Sequence, residues 1–347
     1  MAVTVRSFAK INIGLHIGSR RADGFHELRT IYQTVSLHDL VRVDVQRGAG
    51  VELRCKDARV PCDETNTCWR IAERLMKAHK ARGKVVIAID KQLPVQGGIG
   101  GASSNAAATL LGLERALNAS LEPEERWRLA AEVGSDVPLF LVGGSVLGVG
   151  RGEKVFPLHD LPPMDVVLAT PFVGVSTPQA FADWDAHLAG AAHDQPPGAK
   201  LGSLTLSSPS DTINSFSQSV FAWLMRTVGS TAGVPASSGD QAEISGLPVV
   251  PEGVPVPLLD LVRAGIENDF ERVVFPKYPE LHEVKRGLER AGARYASLSG
   301  SGSTVYGLFE SAVQAQTAAE KISESGCPAV TARTLPRNQY WAEIFKF

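Results

Sequence analysis

Apolar and polar positions change their period several times along the chain, and each change predicts an element. Val3, Val5, Ile11, Ile13, Leu15 and Ile17 alternate with other residues, which predicts two short strands over 3–8 and 11–17. DLVRVDVQRGAGVELR (39–54) alternates in the same way, with RGAG as the expected turn of a hairpin. Trp69, Ile71, Ala72, Leu75 and Met76 return at helical spacing within 66–81, and VVIAID (85–90) reads as a strand. After a glycine-rich stretch, Ala107, Leu110, Leu111, Leu113 and Leu117 predict a helix over about 103–117. Another helix is expected over 123–133, with Pro123, Glu124 and Glu125 suiting its first turn and Gly134 its end.

The second half opens with DVVLAT (165–170) as a strand. Helical spacing follows at about 177–188, 258–266 and 278–291. ARYASLSGSGSTVYGLFE (293–310) reads as strand, glycine turn and strand, before a helix at 311–324 and a strand at 328–334. Simplified, the order is β-α-β-β-α-β, the ferredoxin-like arrangement with one very long crossover. That crossover, 189–257, holds eight glycines, eight prolines and eleven serines among its 69 residues, and only seven charges. This composition predicts a loop-rich insertion, with one amphipathic helix at INSFSQSVFAWLMRTV (213–228). The expected class is α+β in two domains, 1–160 and 161–347, with the insertion in the second.

Composition narrows the function classes. The chain has 347 residues, 44% of them hydrophobic and 21% charged, so it can bury a core. Lys+Arg at 35 against Asp+Glu at 37 gives a net charge of −2, which argues against a dedicated nucleic-acid binder. Cys55, Cys62, Cys68 and Cys327 match no zinc spacing and are expected to be reduced thiols. The N-terminus does not read as a signal peptide and no apolar run reaches membrane length, so a cytoplasmic protein without a membrane partner is expected.

Three segments carry candidate chemistry. PVQGGIGGASSNAA (94–107) lies between a predicted strand and a predicted helix. Gly97, Gly98, Gly100 and Gly101 leave backbone amides uncovered, and a helix opening at Ser103 and Ser104 offers its free N–H groups and dipole to an anion. The alternative is a tight turn, which needs fewer glycines. The loop is neither a Walker A sequence nor a dinucleotide fingerprint. Gly300 and Gly302 in LSGSGSTVYGLF (298–309) suit either a flexible hairpin or a second backbone wall. In SFAKINIGLHI (7–17), Lys10 and Asn12 share a strand face; Lys10 is either exposed or buried with a partner. Asp136 in GSDVPLFL is a candidate partner, or simply an N-cap.

Taken together, the segments at 7–17, 94–107 and 298–304 resemble, in order, the three motifs of the GHMP small-molecule kinases. The middle one matches P-x-x-x-G-[LI]-G-x-[GA]-S-S-x-A-A. Within that superfamily, AKINIGLHIGSRRADGFHEL (9–28), NTCWRIAERLM (66–76), GSDVPLFL (134–141) and ENDFE (267–271) resemble the branch that acts on a cytidine diphosphate-linked methylerythritol. The resemblance covers nearly the whole chain outside 189–257. It implies a GHMP kinase fold, with an N-terminal domain like ribosomal protein S5 domain 2 and a ferredoxin-like C-terminal domain. It also implies ATP accompanied by Mg²⁺.

By resemblance, Asp136 orients and deprotonates the substrate hydroxyl, and Lys10 pairs with it. Pro94, Val95, Gln96, Gly97, Gly98, Ile99, Gly100, Gly101, Ala102, Ser103 and Ser104 would hold the ATP phosphates, with Asn66 and Lys91 towards the adenosine. His26 would read the cytosine between Phe25 and Phe181, while Asn12, Thr177, Gly300 and Gly302 would meet the rest of the substrate. Gln96 and Ala102 stand where the loop often has smaller residues or glycine, and Phe25 stands where Tyr is common. Another GHMP kinase and a non-catalytic protein on the same fold are the rival readings, and a monomer or a homodimer fits equally.

Overall fold

Ten strands form two sheets in the computed structural model, which describes residues 2–95, 97–193 and 267–346. β1 (Val3–Arg20) and β2 (His26–Gln46) are long antiparallel partners that begin the first sheet. β3 (Gly50–Cys55), β4 (Lys84–Asp90), β5 (Ser145–Gly150) and β6 (Lys154–Pro157) complete it in the order β3-β4-β2-β5-β6, with β1 paired to β2. Helices α1 (Thr67–Ala78), α2 (Gly101–Leu117) and α3 (Pro123–Val133) pack on it through Leu75, Leu110, Leu113 and Leu129.

β1 is one strand where two were expected. Residues 7–18 are buried throughout, because one face meets the first core and the other meets the second sheet. Alternation therefore fades where both faces are covered. Irregularities in register at Phe8/Ala9, Asn12/Gly14 and Ile17/Arg20 bend the strand so that Leu15 and Ile17 reach the C-terminal core.

The expected hairpin over 39–54 also needs correction. β2 and β3 do flank RGAG, but they are not partners: β4 lies between them, antiparallel to β2 and parallel to β3. The connection from β3 through α1 to β4 is a parallel crossover, a pairing that local turn chemistry cannot announce.

The second sheet contains β7 (Asp165–Ala169), β8 (Tyr295–Leu298), β9 (Val305–Phe309) and β10 (Ala329–Arg333), all antiparallel, in the order β10-β7-β9-β8. This is the expected ferredoxin-like order. Helices α4 (Thr177–His193), α5 (Glu271–Lys277) and α6 (Pro279–Arg290) precede β8, and α7 (Ala312–Glu324) joins β9 to β10. α4 runs five residues into the stretch expected as insertion. The helices expected at 213–228 and 258–266, and the rest of the insertion, lie outside the described residues.

α8 (Arg337–Glu343) returns to the N-terminal domain. Leu335, Tyr340 and Ile344 join its core, the Tyr340 hydroxyl donates to the Phe140 carbonyl at 2.7 Å, and Trp341 Nε1 donates to the Val142 carbonyl at 2.9 Å. A cut at 160/161 therefore separates the last helix from the core it completes. Among the described residues, no helix is long and apolar enough to cross a membrane.

Candidate active site

The site is assembled where β1, the start of α2 and two glycine turns converge. β1 carries Lys10 into the interior. Its ammonium donates to Asn12 Oδ1 at 2.6 Å and to the Gly98 carbonyl at 2.9 Å, and stands 3.6 Å from Asp136 Oδ2. Burial lowers its pKa below the ordinary lysine value, and the Asp136 charge opposes that shift. Lys10 is thus buried with partners, not exposed. Asn12 is held in turn by its amide, which donates to Thr30 Oγ1 at 2.7 Å.

Asp136 does not cap a helix. A short 3₁₀ turn, Pro138–Leu141, starts after Val137 without a side-chain cap, which leaves the carboxylate for Lys10. The Tyr32 hydroxyl donates to Asp136 Oδ1 at 3.0 Å. The pattern of the sequence did not single out Tyr32, which lies in a stretch, 18–38, where no element was expected and where β2 is found.

The glycine loop reaches its shape through close approach. Gly98 has φ +73°, and a Cβ there would lie 2.3 Å from the Ser299 carbonyl oxygen and 2.7 Å from that of Gly302. Gly100 precedes α2 with φ +74° and no side-chain cap, so the first N–H groups of a 17-residue helix face a cleft. That cleft, about 330 Å³, is lined by Asn66, Lys91, Pro94, Val95 and the backbone from Gly97 to Ser103. Gln96 lies outside the described residues.

Ser104 is a correction to the expected phosphate contacts. Its hydroxyl accepts from Ser7 Oγ at 2.7 Å in the interior, and its N–H already donates to the Gly100 carbonyl at 2.8 Å. Neither group is available to the cleft. Asn66 lines the cleft but is also committed locally: its Oδ1 accepts from the Cys68 N–H and its amide donates to the Pro61 carbonyl. Lys91 is paired with buried Asp39 at 2.7 Å.

The second turn closes one wall. Ser299 Oγ donates to the Gly98 carbonyl at 3.0 Å and the Thr304 N–H to the Gly97 carbonyl at 3.1 Å. A Cβ on Gly300 would stand 3.5 Å from both Lys10 Nζ and Asn12 Oδ1, so Gly300 faces the pair. Gly302 instead packs its carbonyl towards Gly98 and its Cα over Leu298, a bracing position. Asn268, in the ENDFE segment, donates to the carbonyls of Leu298 and Gly300 at 2.8 Å and holds the turn from behind.

RADGF forms the tip between β1 and β2. Phe25 is 52% exposed there, with the Arg151 guanidinium 4.9 Å from its ring centre. Phe181 on α4 stacks on His26 with ring centres 4.9 Å apart and planes 5° apart. His26 Nε2 pairs with Asp185 Oδ1 at 2.7 Å, and Thr177 Oγ1 lies 2.8 Å from Ser301 Oγ. One face of Phe181 is thus occupied by His26, so the aromatic sandwich implied by resemblance is not assembled. Asp185 had one legible signal: it lies one helical turn beyond Phe181.

Residues 66–144 match the model of the GHMP kinase N-terminal domain, and 252–326 that of the C-terminal domain. A 4-diphosphocytidyl-2-C-methyl-D-erythritol kinase of Solibacter usitatus (strain Ellin6076) is 35% identical over 88% of this chain and 80% of its own length. The chain belongs to the 4-diphosphocytidyl-2-C-methyl-D-erythritol kinase family. A crystal structure of a 4-(cytidine 5'-diphospho)-2C-methyl-D-erythritol kinase superposes with TM-score 0.65 and 27% identity, over 95% of this chain and 98% of that one. Homoserine kinase from Cytophaga hutchinsonii, at 19% identity and TM-score 0.62 over 98% and 96% of the two chains, shares the fold. Membership in this family makes the protein an ATP-dependent GHMP kinase.

Proposed function

We propose that this protein transfers the γ-phosphoryl group of ATP to the free hydroxyl of 4-diphosphocytidyl-2-C-methyl-D-erythritol. The observation that carries the reading is the pairing of buried Lys10 with partly open Asp136 at 3.6 Å, set beside the uncapped start of α2. Asp136 Oδ2 takes the hydroxyl proton as the substrate oxygen bonds to the γ-phosphorus. The bond from that phosphorus to the β-phosphate oxygen breaks, and ADP leaves. Lys10 stabilises the developing charge on the attacking oxygen and the moving phosphoryl group. Base assistance of this kind is worth ~10²–10⁴-fold, and positioning and electrostatics supply most of the rest.

In this reading the amides of Gly97–Gly101 and the first turn of α2 hold the phosphates, and Asn66 and Lys91 border the nucleoside. Mg²⁺ would neutralise the phosphate oxygens. Among the described residues no group of three or more His, Cys, Asp or Glu could hold a metal, which fits an ion carried mainly by ATP. Ser103, which lines the cleft, is the side chain placed to complete its shell.

His26 would read the cytosine and Phe25 would stack on it, with Phe181 turning from His26 to the base. Asn12, Thr177 and Gly300 would border the diphosphate and methylerythritol. An ADP-release assay over the cytidylyl alcohol, mevalonate and homoserine tests the assignment. Turnover of the first alone supports it; turnover of mevalonate or homoserine in its place overturns it.

A further inference from the structure

Three glycines in SVLGVGRG are unexplained by phosphate binding, and two of them press on one side chain. A Cβ on Gly148, in β5, would lie 2.4 Å from Tyr32 Cε2, and a Cβ on Gly152 would lie 2.4 Å from the Tyr32 hydroxyl. Gly152 also has φ +96°. Together they make a slot into which the Tyr32 ring fits from β2, paired across to Asn12 on one side and Val146 on the other. The ring is buried, its hydroxyl meets Asp136 Oδ1 at 3.0 Å, and the Lys10 ammonium stands 5.6 Å from its centre.

We propose that Tyr32 is a positioning residue for phosphoryl transfer, fixing Oδ1 of Asp136 so that Oδ2, the oxygen beside Lys10, receives the substrate proton. The proposal rests on the function given above. A carboxylate 29% exposed on its side chain and held by one lysine could rotate about its terminal torsion, which has no sharp minimum. A donor on Oδ1 removes that freedom and commits one oxygen to each task. Burial, with the nearby charges of Asp136 and Glu153, raises the Tyr32 pKa well above the ordinary tyrosine value, so the hydroxyl keeps its proton and remains a donor. Gly148 and Gly152 act through it by leaving room for the ring and the hydroxyl.

Tyr32→Phe keeps the ring and removes the donor. Hydrogen bonds to charged groups are worth enough that kcat should fall by about 10- to 100-fold. KM for ATP and for the alcohol should stay within about twofold, since the residue orients Asp136 and does not bind either substrate. Unchanged kcat, or a rise in KM that accounts for the loss, overturns the proposal. Gly152→Ala provides an independent variant, because it displaces the hydroxyl without deleting it. It should lower kcat, and the Y32F/G152A double variant should have a kcat no lower than that of Y32F alone. Additive losses would mean that Gly152 acts elsewhere and would count against the slot. If wild type turns over a different alcohol from the panel, the proposed substrate fails, and the same comparison on that alcohol still decides the role of Tyr32.

Discussion

Lys10 Nζ and Asp136 Oδ2 lie 3.6 Å apart at the meeting point of both glycine turns, and only Asp136 is partly open to solvent. The lysine is anchored by Asn12 and Gly98, so it is placed before any ligand arrives. The pair therefore combines a fixed cation with a carboxylate that a substrate hydroxyl can reach.

Burial depresses the Lys10 pKa below 10.5, so the ammonium should lose its proton earlier than an exposed lysine. The alkaline limb of the kcat profile should fall below pH 10.5 and be absent from Lys10→Met. Stability carries the same sign. Between the lowered folded value and 10.5 the unfolded chain binds more protons, so folding gains stability as pH rises through that window. Denaturant titrations of wild type and K10M across the window should show wild type gaining relative to the variant.

Gly98→Ala should disturb the loop and the fold together. The new Cβ meets two backbone carbonyls, and φ +73° is strained for any L side chain. A cost on the order of 1–3 kcal/mol from the backbone conformation alone should lower Tm by several degrees. KM for ATP should rise in parallel, and a thermal melt with ATP titration measures both.

Ser103 and Ser104 should part company. Ser104→Ala removes an interior partner of Ser7 and should cost about 1 kcal/mol of stability, with kcat within about twofold of wild type. Ser103→Ala, at the cleft, should weaken ATP use with little change in Tm. Melting curves and steady-state kinetics on the two variants separate the roles.

Phe25→Ala should raise KM for the cytidylyl alcohol and leave KM for ATP unchanged. Stacking of a base on an aromatic ring is worth ~1–3 kcal/mol, or about 5- to 150-fold. An equal loss for ATP would move the base pocket away from the RADGF tip.

Helices α3 and α7 were legible because each buries a single face and leaves the other in water, which keeps the 3.6-residue period visible; α2, buried on every side over residues 104–110, was legible from its leucines and its length instead. β1 was misread as two strands because Ser7–Gly18 is buried on both sides. β3 was paired with the wrong neighbour because the strand that separates it from β2 comes later in the chain. α8 gave no warning that it would leave the C-terminal sheet for the core around Phe140.

The site shows the same division. Lys10, Asn12 and the glycine loop stood out because a charge and a run of glycines are anomalous within an apolar strand and before a helix. Ser104 was misplaced because a serine at a helix start reads alike whether its hydroxyl faces the cleft or Ser7. Tyr32 was missed because the stretch between residues 17 and 39 was assigned no element and a lone aromatic there is ordinary; only the distance to Asp136 makes it informative.

The most direct test is the turnover of Asp136→Asn on ATP and 4-diphosphocytidyl-2-C-methyl-D-erythritol, measured beside the ATP dissociation constant of the same variant. Loss of base assistance should lower kcat by ~10²–10⁴-fold while ATP binds within about threefold of wild type. A kcat near that of wild type would contradict the assignment of Asp136 as the base.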